Sequence, residues 1–63
     1  MKYKVELKNI YNDSVREIDV DSISPQEAHK KVLISECNSK EEDIVKISTE
    51  KGVVVYLDSK GFF

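Results

Sequence analysis

The sequence predicts a small α+β fold of ββαββ order, in which one helix packs on one face of a four-stranded, mainly antiparallel sheet. Three observations lead to this prediction. Two alternating runs flank a polar turn at the start of the chain, a helix-start signal follows at Ser24, and two further apolar runs flank Gly52. We interpret residues 1–63 as a single domain, because no linker or low-complexity stretch divides them.

Alternating apolar and charged residues predict the first hairpin. Its turn is placed at residues 11–14, where Asn and Asp tolerate left-handed backbone and cap their own peptide groups. The favoured register pairs Leu7 with Ile18 and Val5 with Val20 on the apolar face, and lysines then meet acids on the other face.

A group of helix-start residues predicts the helix. Ser24 is suited to the N-cap, Pro25 to the first helical position and Glu27 to a capping box, so the helix is expected from Pro25 to about Cys37. A second capping box is predicted at residues 39–42.

Helical spacing also predicts which side of the helix meets the sheet. Ala28, Val32 and Leu33 fall on one side with His29 between them, and this side is expected to be buried. Ile34 is expected to point away from the sheet.

The second hairpin is predicted around a three-residue loop that ends at Gly52, where a positive φ is needed. The favoured register pairs Ile47 with Val55 and Val45 with Leu57. The fourth strand is then apolar on both faces, so we expect it at the centre of the sheet, beside the first strand.

Composition limits the classes of function. Apolar residues make up 40% of the chain, charged residues make up 35%, and the net charge is −2 without a basic cluster, so nucleic acid is an unexpected partner. A single cysteine rules out an internal disulfide, and the sequence shows neither a signal peptide nor a membrane-length apolar run. We expect a soluble cytoplasmic protein, and the abundance of Lys, Ile and Asn suggests a bacterial or phage source.

No motif in the sequence predicts catalysis or a bound cofactor. His29 titrates near neutral pH, but no nucleophile accompanies it at a motif spacing. Cys37 lacks a second cysteine for a metal pair, and the acids at 41–43 lack the spacing of a calcium loop. The chain is therefore expected to be non-enzymatic and to need no cofactor or metal.

Apolar side chains on the outer sheet face predict a contact surface. In the predicted register Val54 and Tyr56 point away from the helix, opposite Ser48 and Lys46. The leading hypothesis is a protein-binding module or a homodimer that uses this face or a strand edge. The predicted protein-binding residues are Val54, Tyr56, Lys46, Phe62 and Phe63.

Two alternatives stay open at this point. Phe62 and Phe63 could instead fold back over Val54 and Tyr56 within one molecule. The alternative function is a single-stranded nucleic-acid binder that stacks a base on Tyr56 beside neighbouring lysines.

Overall fold

The computed structural model describes residues 1–35 and 41–63 and confirms the α+β class, with an antiparallel sheet and one helix. The sheet has five strands in the order β2-β1-β3-β4-β5, and every pairing is antiparallel. The elements are β1 (Lys2–Asn9), β2 (Val15–Asp21), α1 (Pro25–Ser35), β3 (Glu42–Thr49), β4 (Val54–Leu57) and β5 (Gly61–Phe62).

The first hairpin forms as predicted in strand location and in faces, but its register is shifted by two residues. Val5 pairs with Ile18 and Leu7 pairs with Arg16. Strand β1 ends at Asn9 because its side-chain oxygen accepts the N–H groups of Tyr11 and Asn12, at 2.8 and 3.2 Å. The turn therefore begins earlier than predicted.

The helix begins as the sequence predicts. The Glu27 N–H donates to the Ser24 hydroxyl at 3.2 Å, which satisfies one of the first free donors of the helix. The predicted end near Cys37, and residues 39 and 40 of the second capping box, lie outside the described residues.

The helix buries a narrower face than predicted. Ala28 and Val32 are fully buried, and Ile34 is 77% exposed as expected. The burial predicted for Leu33 is wrong, since this side chain is 44% exposed. The helix packs on the sheet through one narrow stripe, which leaves Leu33 at its margin.

The core lies between α1 and one face of the sheet, mainly over β1 and β3. Its buried apolar residues are Tyr3, Val5, Leu7, Ala28, Val32, Ile44 and Ile47. The fourth strand is an interior strand between β3 and β5, but its predicted position beside the first strand is wrong, because β3 pairs with β1. The prediction rests on apolar residues on both faces of this strand, and all four residues of β4 are half-buried.

The second hairpin has the predicted three-residue loop but not the predicted register. Gly52 has a φ of 88°, and the Thr49 N–H donates to the Val53 carbonyl at 2.8 Å. A bulge then breaks the pairing, so that Ser48 is opposite Val54 as predicted, whereas Ile47 is opposite Tyr56.

A second glycine-containing reversal of the chain leads into the fifth strand. Gly61 has a φ of 79°, close to that of Gly52, and the chain reverses so that Phe62 pairs with Tyr56. The predicted count is four strands, and the structure adds β5, whose two residues are too few to show an alternating pattern.

Within residues 1–35 and 41–63, the structure contains no helix with the length and apolar character that a membrane span requires.

Candidate functional site: an open strand edge and an aromatic cluster

The structure divides the five predicted protein-binding residues between the two faces of the sheet. Val54 lies opposite Ser48 and Lys46 lies opposite Leu57 on the outer face. The predicted outer placement of Tyr56 is wrong, because the bulge turns its ring to the helix side, where it packs against the core. Leu57 takes its place on the outer face.

Phe62 folds back within the molecule, but not over the outer face. It pairs with Tyr56, and its ring lies on the helix side, 39% exposed. The Phe63 N–H donates to the Val55 carbonyl at 3.0 Å, and its side chain is 68% exposed. The idea that both phenylalanines cover an outer patch of Val54 and Tyr56 is therefore wrong, since Tyr56 and Phe62 meet on the other face.

His29, Tyr56 and Phe62 form an aromatic cluster where α1 passes β4 and β5. The ring centroids of His29 lie 5.0 Å from Tyr56 and 5.6 Å from Phe62, both in edge-on geometry, and those of Tyr56 and Phe62 are 4.7 Å apart. Such contacts stabilise a pair of rings by about 1 kcal/mol beyond their buried area. These ring contacts pack β5 and the helix against β4.

Burial sets the protonation behaviour of this cluster. Desolvation lowers the pKa of His29 from its usual value, so the imidazole favours its neutral form. Desolvation, followed by the negative charges of Asp58 and Asp43, raises the pKa of Tyr56. Both rings are held as neutral packing groups at physiological pH.

The side chains that commonly bind metals are dispersed in the described part of the chain. There, no group of three His, Cys, Asp or Glu side chains is placed to hold a metal ion. His29 contacts the rings of Tyr56 and Phe62 and is partly buried, and Cys37 lies outside the described residues.

Strand β2 forms one edge of the sheet and has a free backbone side. The Ser22 N–H donates to the Met1 carbonyl, and the Asn9 N–H donates to the Ser14 carbonyl. Because hydrogen-bonded pairs alternate along an antiparallel ladder, the even-numbered residues of β2 direct their N–H and carbonyl groups toward β1. The intervening residues, Glu17, Asp19 and Asp21, direct theirs to the open edge. The Lys31 ammonium bonds to the Asp21 carbonyl at 3.0 Å from that side.

An open groove runs between β2 and the helix, with a volume of about 530 Å³. The groove exists because α1 packs over β1 and β3 and leaves Ile18 and Val20 only half-buried. Its apolar lining is Ile18, Val20, Val32 and Ile34. Lys31 and Asp21 stand at its rim.

Sequence reasoning named a strand edge as a possible binding surface but did not identify which strand. The signal for β2 is present in the sequence: each of its polar-face positions from Glu17 to Asp21 is acidic. Charged side chains are typical of edge strands, since they discourage unwanted pairing.

Comparisons with protein-family models, with curated proteins and with solved structures found no match for this chain.

Proposed function

We propose that this chain is a small, non-catalytic protein-binding module that takes up an extended segment of a partner along the open edge of β2. The observation that carries this proposal is the coincidence of two features. The edge offers peptide groups at Glu17 and Asp19, and an apolar groove lies directly beside them. Backbone hydrogen bonds supply affinity in this mode of recognition, and pockets for alternate side chains supply specificity.

The groove matches what an added strand needs. Alternate side chains of such a strand would point to the helix side, beside Ile18 and Val20. These two side chains are half-buried and lie over the floor of the groove, so they gain burial when the strand is added. The other side chains would lie on the outer face, beside Glu17 and Asp19.

The positions of Tyr56 and the lysines favour the strand-edge proposal over the nucleic-acid alternative. That hypothesis needs Tyr56 and lysines on one face of the sheet, but Tyr56 faces the helix whereas Lys46 and Lys4 lie on the outer face. This separation is a reason to prefer recognition at a strand edge.

Selection of displayed random heptapeptides against the chain tests the proposal. We expect enriched peptides to alternate apolar and polar residues.

Two variants at Asp19 then separate backbone pairing from other contacts. Asp19→Ala and Asp19→Pro both remove the carboxylate, but only proline removes the outward N–H, and an edge strand tolerates proline at such a position.

The enriched peptides should bind the alanine variant and lose about tenfold or more in affinity for the proline variant, since the lost hydrogen bond leaves a peptide acceptor unpaired. Circular dichroism should show that both variants are folded. Equal affinity for the two variants, or no enrichment of any peptide, would contradict the proposal.

A further inference from the structure

The acidic side chains of β2 define the chemistry of the segment that this edge can accept. Glu17, Asp19 and Asp21 all lie on the outer face, and the side chains of Glu17 and Asp21 are 53% and 76% exposed. An added strand would place every second side chain directly beside this row.

The cations within ion-pair distance of these carboxylates come from Lys4 and the N-terminus, on the β1 side of the row. The Lys4 ammonium is 3.9 Å from Glu17, and the terminal ammonium of Met1 is 3.3 Å from Asp21. Lys31 bonds to a backbone carbonyl in the groove. In the described part of the chain, no cation lies within ion-pair distance of the Asp19 carboxylate. Among the described residues, these three carboxylates therefore receive no ion pair from the open edge.

We infer that the occupant of this edge is an extended segment of another protein in which apolar and basic side chains alternate, and not a second copy of this chain. The inference rests on the proposed function and specifies its partner. Basic side chains would face Glu17 and Asp19 on the outer face, and apolar side chains would enter the groove beside Ile18 and Val20.

Strand β1 shows that β2 already accepts a strand of this kind. On the outer face, Lys2 and Lys4 of β1 lie opposite Asp21 and Asp19 of β2. On the helix side, Tyr3 and Val5 lie opposite Val20 and Ile18. Lysines therefore alternate with apolar residues against the acids and apolar residues of β2. An added strand with the same alternation would give β2 basic and apolar neighbours on both of its sides.

The β2 strand of a second copy would not place basic side chains beside the acidic row. If two β2 strands met edge to edge with Ile18 and Val20 kept on the groove side, the acidic rows of both copies would share the outer face. This holds for any register that preserves the faces, and like charges in neighbouring positions are unfavourable. A slip by one residue would instead place acids beside the apolar groove.

Three synthetic heptapeptides test this inference directly. They alternate valine with lysine, with glutamate or with threonine, and N-methyl groups along one edge prevent the peptides from stacking on each other. Fluorescence anisotropy should rank the lysine peptide first and the glutamate peptide last. The lysine–glutamate difference should be about tenfold or more and should shrink with added salt.

A charge-reversed variant supplies the matched control. Glu17→Lys combined with Asp19→Lys should invert the ranking of the lysine and glutamate peptides, and the milder pair Glu17→Gln with Asp19→Asn should abolish it. Circular dichroism establishes that each variant is folded. The neutral pair keeps the test valid if the lysine pair does not fold.

The outcomes separate this inference from the proposed function. If all three peptides bind alike and without salt dependence, the charge selectivity is wrong and the strand-edge function stands. If none binds, the proposed function is contradicted as well. Sedimentation should show a monomer at low and high salt, and a dimer that Asp19→Pro abolishes would overturn the exclusion of a second copy.

Discussion

Arg16 and Glu42 form a bidentate ion pair across strand β1, which lies between their own strands β2 and β3. Arg16 Nε donates to Glu42 Oε2 at 2.8 Å, and its Nη2 donates to Oε1 at 2.9 Å. Arg16 lies in β2 opposite Leu7, and Glu42 lies in β3 opposite Asn9. The pair therefore joins the two strands that flank β1, next to the buried Leu7 side chain.

The Arg16–Glu42 pair should stabilise the fold measurably. The Glu42 side chain is only 14% exposed, and the two parallel hydrogen bonds fix its geometry. A double-mutant cycle with Arg16→Gln and Glu42→Gln, measured by urea unfolding, should give a coupling of about 1 kcal/mol. The Lys4–Glu17 pair, longer at 3.9 Å and half-exposed on both sides, is the control. Its coupling should be near zero, and equal couplings would contradict the prediction.

Val32, and not Leu33, should be the critical position on the helix. Val32 is fully buried against the sheet, whereas Leu33 is 44% exposed. A carboxylate at Val32 would be buried without a partner, which costs more than a domain of this size can supply. Val32→Asp should therefore unfold the chain, while Leu33→Asp and Ile34→Asp should leave it folded in thermal melts followed by circular dichroism. Unfolding of the Leu33 variant would show that the helix is rotated.

The sequence indicated the faces of the first hairpin but not its register. Alternation has a period of two, so a shift of two residues keeps every apolar side chain on the same face. Pairing Val5 with Val20 or with Ile18 therefore satisfies the pattern equally well. The difference depends on Asn9, whose side chain starts the turn early. That local hydrogen bonding is not visible in the hydrophobic pattern.

The placement of Tyr56 could not be predicted for a related reason. Residues 53–57 are continuously apolar, and such a run carries no alternation to fix which side chain points inward. A single bulge reverses the outcome, so Tyr56 meets His29 and Leu57 turns outward.

The candidate site depends on strand order, which single-strand patterns do not determine. The acids of β2 were visible in the sequence, but β2 becomes an open edge only because β3 takes the other side of β1. Likewise, the groove beside Ile18 exists because α1 packs over β1 and β3. Both are consequences of tertiary packing.

Phe62 should contribute to stability, and Phe63 should not. Phe62 contacts Tyr56 and His29 within the aromatic cluster, whereas the Phe63 side chain is 68% exposed. Phe62→Ala should lower the free energy of unfolding by about 1 to 2 kcal/mol, since it removes both ring contacts and part of the buried area. Phe63→Ala should change it by less than about 0.5 kcal/mol. Urea unfolding measures both, and equal effects would contradict the assignment of β5 to the fold.

The environment of His29 should make stability depend on pH in a defined direction. Burial lowers the pKa of His29 in the folded state, whereas an imidazole in the unfolded chain titrates near about 6.5. Between these two pKa values the unfolded state binds more protons than the folded state. The contribution of His29 to the free energy of unfolding should therefore be complete above about pH 6.5. It should be lost as the pH drops toward the folded-state pKa.

His29 is the only histidine in the chain, so a single substitution isolates its contribution. Urea unfolding between about pH 5 and pH 7 should show a steeper loss of stability on acidification for the wild type than for His29→Gln. Carboxylates contribute the same background to both proteins. Phe62→Ala, which uncovers the imidazole ring, should give an intermediate slope because it reduces the desolvation that lowers the pKa. Identical slopes for wild type and His29→Gln would mean that the ring is solvated in the folded protein and that the aromatic cluster does not shield it.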